Sequence, residues 1–311
     1  MRRRPLEKWM NFSMPKLPEY YGIKKGYPRI RRYFGRLAAY VQLCRVFTWI
    51  APLLAGIFGV LTPVSSIGFH TFLTAVYVGA TLALAQGAGQ CLNQYADIKL
   101  DKVVKPYRPL PSGLISAEEA LGLSWLLAIF SIARAFTIST FFGLTVLALL
   151  FFAVFYSLAP FSPRRVHPLI NTGWMAISRG FLPMYAVWSI FGNMETAWQY
   201  SILAFLWVMG LQATKDIGDV EGDKMFGIKT IPASYGINGL KVLIIICSIL
   251  YGIFAISFRL YIMLLLVPLA ALTVLSLKRK TITENTVSWT IFYAGLGLIY
   301  VLMFIGVKIF A

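Results

Sequence analysis

All five aspartates of the chain lie in two short windows, Asn93-Gln-Tyr-Ala-Asp97-Ile-Lys-Leu-Asp101-Lys102 and Lys215-Asp216-Ile-Gly-Asp219-Val-Glu-Gly-Asp223-Lys224. On a helix of about 3.6 residues per turn, Asn93, Asp97 and Asp101 recur at i, i+4 and i+8 and share one face. Asp216, Asp219 and Asp223 share another at i, i+3 and i+7. Like charges stacked on a helix face repel, and near low dielectric they take up protons unless something cationic lies between them. Hard oxygen ligands in this number suit Mg2+, which is held by one or two carboxylates together with substrate phosphates. Ordinary surface acids on solvated helix ends would be scattered among the loops, whereas every Asp is in these windows.

The elements that must position these windows are membrane spans. The chain has 311 residues, 58% of them hydrophobic and 13% charged, with a mean hydropathy of +0.71. Soluble domains carry about 25% charged residues, so a water-soluble fold is excluded. Nine apolar blocks, near 45–66, 70–92, 118–138, 140–159, 168–191, 198–214, 239–258, 260–277 and 286–309, are about 17 to 24 residues long, enough to cross a hydrocarbon layer of about 30 Å. With a cytoplasmic N-terminus, 24 of the 29 Lys and Arg fall on the inner side. That bias predicts N-terminus in and C-terminus out in a multi-pass protein of the cell membrane. Both Asp windows then close blocks, the second and the sixth, on the cytoplasmic side.

The windows also repeat. Asp97 and Asp219, like Asp101 and Asp223, are 122 residues apart, each pair is followed by Lys, and each runs on into a Pro…Ser…Gly turn. Four blocks separate the copies, so they share orientation and are related by an axis near the membrane normal. The fold expected is all-α and polytopic: nine transmembrane helices around a central cavity open to the cytoplasm, as two parallel four-helix repeats plus a ninth helix, over residues 45–309. Residues 1–44 form a basic segment without the apolar region of a signal peptide. Its 29–45 stretch reads as an interfacial helix held by anionic lipid, and the adjoining span argues against nucleic acid as its partner. Cys44, Cys91 and Cys247 read as buried spare thiols, and His70 and His167 are not spaced as a metal pair.

These motifs resemble those of the UbiA superfamily of intramembrane prenyltransferases. The first signature is similar to Asn93–Asp101 followed by Lys105-Pro-Tyr-Arg108-Pro-Leu-Pro-Ser-Gly113, and the second to Asp216 through Lys224 with Phe226-Gly-Ile-Lys-Thr230 after it. A weaker match is Tyr156-Ser157-Leu-Ala-Pro160-Phe-Ser-Pro-Arg164-Arg165 ahead of Asn171. The wording of both windows looks most like the homogentisate-type aromatic branch. The resemblance implies that an isoprenyl diphosphate enters with its tail in lipid, that two Mg2+ ions bridge its diphosphate to the Asp motifs, and that an allylic cation alkylates an aromatic, quinone-precursor-type acceptor. It makes Asp97, Asp101, Asp216, Asp219 and Asp223 the metal ligands, with Asn93 as a neutral oxygen donor. Lys102, Lys105, Arg108, Lys215, Lys224 and Lys229 are candidate fixed cations for the departing diphosphate, Arg108 and Lys224 foremost. Tyr156 is the aromatic face proposed to shield the cation, with Tyr95 and Trp174 as weaker candidates.

Arg179, about ten residues into the fifth block, carries charge where it is costly and is expected to line the cavity and meet a motif carboxylate or an acceptor group. Arg45, at the mouth of the first block, is a candidate for orienting substrate. An archaeal-type transferase adding geranylgeranyl to a glycerol phosphate ether lipid is the alternative within the class, and Arg164, Arg165 and Arg179 supply the extra basic residues its anionic acceptor calls for. A secondary transporter also has intramembrane charges and internal repeats, but its acids belong near the midplane. A lipid-binding scaffold leaves the grouped aspartates unexplained.

Overall fold

The computed structural model describes residues 28–158, 162–277 and 286–310, and the regular structure among them is entirely helical. Helix α1 (Pro28–Cys44) ends at Arg45, a non-glycine residue in the left-handed region (φ 48°). A 3₁₀ turn over Val46–Trp49 then leads into α2 (Ile50–Leu61), and the chain bends by 41° across this junction. Helix α2 lies so close to α3 (Phe69–Ala96) that a Cβ on Gly56 would come within 2.3 Å of the Gly79 Cα. The short α4 (Ile98–Val104) follows. Next come α5 (Ala117–Phe136), started by a Ser116/Glu119 capping box, and α6 (Thr140–Ser157). The second half holds α7 (Pro168–Ala176), a π turn (Ile177–Phe181), α8 (Leu182–Phe191), α9 (Met194–Leu211), a 3₁₀ stretch (Gln212–Asp219) and α10 (Val220–Met225). It closes with α11 (Ile231–Ser257), a 3₁₀ turn (Tyr261–Leu266), α12 (Val267–Ser276) and α13 (Thr286–Phe310).

Helices α3, α5, α6, α11 and α13 are each long and apolar enough to cross a membrane, and the bent α1–α2 pair makes a sixth candidate. Large apolar side chains such as Trp125, Leu126, Leu144, Ile246 and Ile253 stand exposed along these helices, as lipid-facing positions do. The chain is a multi-pass membrane protein. Each of the nine apolar blocks is largely helical, but besides the bent first block three of the nine expected spans, the fifth, sixth and eighth, are not single long apolar helices. The fifth is split by the π turn, with Pro183 just after it. The sixth, α9, carries Glu195 and Gln199 in its first turns. The eighth opens as a 3₁₀ turn because Pro268 restarts the α-helix.

Two expectations about the windows are corrected. Neither lies on one continuous helix: Asp97 (φ −92°, ψ 10°) separates α3 from α4, and Asp219 (φ −107°, ψ 1°) separates the 3₁₀ stretch from α10. The second Pro…Ser…Gly stretch is not a turn between elements either. Pro232 sits in the first turn of α11, where its missing N–H costs nothing, and Gly236 (φ 65°) absorbs a kink inside that helix. The basic segment 1–27, the 159–161 stretch and the Lys278-Arg279-Lys280 loop lie outside the described residues.

The core is centred on α9, whose Tyr200, Leu203, Trp207 and Leu211 are buried. The Trp207 indole N–H donates to the Phe292 carbonyl of α13 (3.0 Å), and Gly295 leaves room for its ring.

Candidate active site

Helices α4 and α10 pack against each other at Gly222. A Cβ there would meet Val104 Cγ2 at 2.3 Å and Leu100 Cδ1 at 3.3 Å, so glycine sets how closely the two windows approach. Above this contact lies a chamber of about 880 Å³ whose wall contains all five aspartates.

Four of the five are paired with cations. Arg108 Nη1 donates to both oxygens of Asp101 (2.7 and 2.6 Å). Arg164 Nη1 does the same to Asp97 (2.9 and 3.0 Å), and its guanidinium lies 5.1 Å from the Tyr156 ring centroid. Lys105 Nζ meets Asp219 Oδ2 at 2.5 Å, and Lys215 Nζ meets Asp216 Oδ1 at 2.5 Å. Asp223 instead accepts from the Thr230 hydroxyl (2.9 Å), which also N-caps α11, and the Asn93 amide donates to Asp97 (3.0 Å). The cations required between stacked carboxylates are thus supplied largely by the chain.

Burial shapes these charges. It pushes the Asp101 carboxyl above its ordinary value against the pull of Arg108. It also raises Asp223 to about 7, reinforced by the neighbouring Asp216. Burial lowers Lys105, with Asp219 opposing. For Lys215 and Arg164 burial again weighs against the charge, but the carboxylates of Asp216 and Asp97 lead the influences that outweigh it, and both rise.

No group of three or more His, Cys, Asp or Glu among the described residues is gathered closely enough to cage a metal. The donor set nonetheless fits a hard cation shared with a substrate. The carboxylates are oxygen donors that line one chamber together, and Asp219 Oδ1 is buried with no hydrogen-bond partner. That is the arrangement for Mg2+ held by one or two carboxylates plus phosphate oxygens.

The other predicted residues divide. Asn93, Arg45, Lys105, Arg108, Tyr156, Arg164, Arg179 and Lys215 line the chamber with the aspartates. Lys102 and Lys224 do not: both are exposed, because each follows a buried Asp (Asp101, Asp223) on a short helix and the next residue turns about 100° away. Arg165 and Lys229 are exposed as well, and the Lys229 ammonium donates to the Val166 carbonyl (3.0 Å) instead of lining the chamber. Trp174 packs on Phe152 (4.4 Å between centroids), and Tyr95 belongs to a packing cluster with Cys91 and Leu110. Among the described residues Arg179 meets no carboxylate. Sequence reasoning missed Thr230, whose place just before a Pro-started helix was a usable N-cap signal. It also missed Gln90, which accepts from Arg45 Nη1 (3.2 Å) and lies one helical turn before Asn93.

A UbiA homolog from Archaeoglobus fulgidus bound to GPP and Mg2+ superposes with a TM-score of 0.65 at 22% identity, over 87% of this chain and 100% of that one. A structure concerned with digeranylgeranylglyceryl phosphate synthase in membranes superposes with a TM-score of 0.62 at 22% identity, over 88% and 98%. The digeranylgeranylglyceryl phosphate synthase of Thermococcus kodakarensis is 33% identical over 59% of this chain and 65% of that protein. Those of Methanosarcina mazei and Saccharolobus solfataricus are 30% and 28% identical, over 58% and 80% of this chain and 61% and 89% of theirs. The matches to the first two curated relatives thus span less than two thirds of their length. Residues 49–307, five-sixths of the chain, match the model of the UbiA prenyltransferase family, and the chain belongs to that family.

Proposed function

We propose that the chain transfers an isoprenyl group from an isoprenyl diphosphate to a glycerol-phosphate-headed ether lipid within the membrane, releasing diphosphate. The observation that carries this reading is the single chamber in which five aspartates and four partner cations, Lys105, Arg108, Arg164 and Lys215, surround one space. The aromatic acceptor expected from the wording of the windows gives way to the ether lipid, because the relatives named above are digeranylgeranylglyceryl phosphate synthases.

Two Mg2+ ions, the number the family resemblance implies, would be held by Asp97, Asp101, Asp216, Asp219 and Asp223 with Asn93, and would neutralise charge on the diphosphate. Breaking the allylic C–O bond puts that charge on the leaving group, and Lys105, Arg108, Arg164 and Lys215, which line the same chamber, supply the positive charge to stabilise it. Tyr156, beneath Arg164, offers an aromatic face to the allylic cation. Arg45, which lines the chamber and donates to Gln90, orients substrate. In this reading residues 45–309 are the catalytic domain, with nine crossings in two four-helix repeats plus a ninth helix. The chamber opens to the cytoplasm, the N-terminus is inside and the C-terminus outside, and helix α1 (Pro28–Cys44) lies along the inner leaflet.

The test is purified protein in nanodiscs given geranylgeranyl diphosphate, Mg2+, and either geranylgeranylglyceryl phosphate or homogentisate. The expected result is Mg2+-dependent prenylation of the ether lipid. Prenylation of homogentisate alone refutes the acceptor. Absence of diphosphate release with any acceptor, together with substrate flux in liposomes, refutes the enzyme.

A further inference from the structure

The chamber continues into a narrower inner pocket of about 80 Å³, and Thr48, Gln90, Asn93, Tyr156, Arg179 and Tyr293 belong to both walls. Beyond this waist the wall is mainly apolar, with Leu82, Leu149, Phe152 and Leu296, yet Gln86, Ser157 and Ser178 also face it. Ser157 is 8% exposed and its hydroxyl oxygen has no hydrogen-bond partner. Among the described residues Arg179 has no hydrogen bond or ion pair, since Asp97, Asp101, Asp216 and Asp219 are engaged by other cations and Asp223 by Thr230. A guanidinium inside a membrane-spanning segment without a counter-charge is costly and marks a ligand path.

The backbone is built to present it. Arg179 sits in the middle of the Ile177–Phe181 π turn, a one-turn widening that is frequent at functional sites. The turn is accommodated because Gly180 lies against α9, where a Cβ would stand 2.6 Å from the Ala204 carbonyl oxygen. Five guanidinium N–H donors and an unpartnered hydroxyl call for a ligand rich in anionic acceptors. The donor diphosphate already has Lys105, Arg108, Arg164 and Lys215, none of which reaches the inner pocket wall.

We propose that Arg179, with Ser157 and Gln86, forms the subsite for the acceptor's own anionic head, a lipid phosphate monoester, placing it at the waist beside Tyr156. This rests on the ether-lipid reading above and deepens it, by separating an acceptor phosphate site from the donor diphosphate site.

The experiment measures binding of geranylgeranylglyceryl phosphate and of the dephosphorylated alcohol to the nanodisc protein, with glycerol phosphate and inorganic phosphate as headgroup controls, alongside KM for donor and acceptor. Wild type should prefer the phosphate lipid to the alcohol. Arg179→Gln should erase that preference and raise acceptor KM about tenfold or more, as loss of a charge-assisted contact does, while donor KM stays within about twofold. Arg179→Lys and Ser157→Ala, milder changes that keep the helix, should fall between. A raised donor KM with acceptor KM unchanged, or a phosphate preference that survives Arg179→Gln, overturns the subsite. Prenyl transfer to other acceptors only would sink the functional reading, while the binding comparison would still decide the subsite.

Discussion

Replacing Arg108 by Gln removes the cation that grips both oxygens of Asp101, a residue only 3% exposed. Removing one partner of a buried pair costs about 3–5 kcal/mol because the other charge is stranded. Asp101 has an escape: it can take up a proton. That limits the penalty to the work of protonating a carboxyl whose unfolded-state pKa is about 3.9, which at about 1.36 kcal/mol per pH unit is about 4 kcal/mol at pH 7 and about 1.5 kcal/mol at pH 5. The sign follows from burial, which already raises the Asp101 pKa and raises it further once Arg108 is gone. A raised carboxyl pKa favours folding at low pH and is a growing burden as pH climbs from the unfolded value toward the folded one. Relative unfolding free energies of wild type and Arg108→Gln, from denaturation in mixed detergent without divalent metal, should therefore differ by about 2–4 kcal/mol at pH 7 and by less than about 2 kcal/mol at pH 5. The Arg108→Gln/Asp101→Asn double variant, with no charge left to strand, should recover most of the loss at pH 7. A penalty of equal size at both pH values, or a double variant no more stable than the single one, refutes the reasoning.

Gly222→Ala forces α10 away from Val104 by several tenths of an ångström or more, separating the windows. Since a 1 Å misplacement costs about 100-fold in rate, kcat should fall by about ten- to 100-fold while the helical circular dichroism is kept; a variant with wild-type kcat contradicts the role of this contact. Lys224→Gln should leave donor KM within about twofold because Lys224 is exposed away from the chamber, whereas Lys105→Gln, which frees Asp219, should lose at least about tenfold in kcat/KM. The reverse order in steady-state kinetics would show that the lysines had been sorted wrongly.

Much of this was legible in the letters. Grouping every aspartate into two windows at a constant spacing pointed to one site, and apolar runs with basic loops gave a membrane protein. What stayed hidden is short-range backbone detail. Asp97 and Asp219 break their helices, which periodicity alone treats as continuous, and the π turn at Arg179 has no signal in hydropathy. Lys224 misled for a related reason: adjacency in sequence to Asp223 says nothing about sharing its direction, and on a helix neighbours diverge. Two of the four carboxylate partners were out of reach because Lys105 and Asp219 are 114 residues apart, and Arg164 and Asp97 67, whereas Arg108 and Lys215 are 7 and 1 residues from Asp101 and Asp216. Only folding chooses which cation finds which acid.

The acids ride on very short helices, α4 with 7 residues and α10 with 6. Isolated helices below about 12–15 residues scarcely persist in water, so neither stretch owns its shape; each borrows it from the bundle and from the other. Grafting one of them onto a foreign scaffold would copy the letters and lose the geometry. An engineer wishing to move this chemistry must transplant the meeting of two broken helices, not a motif.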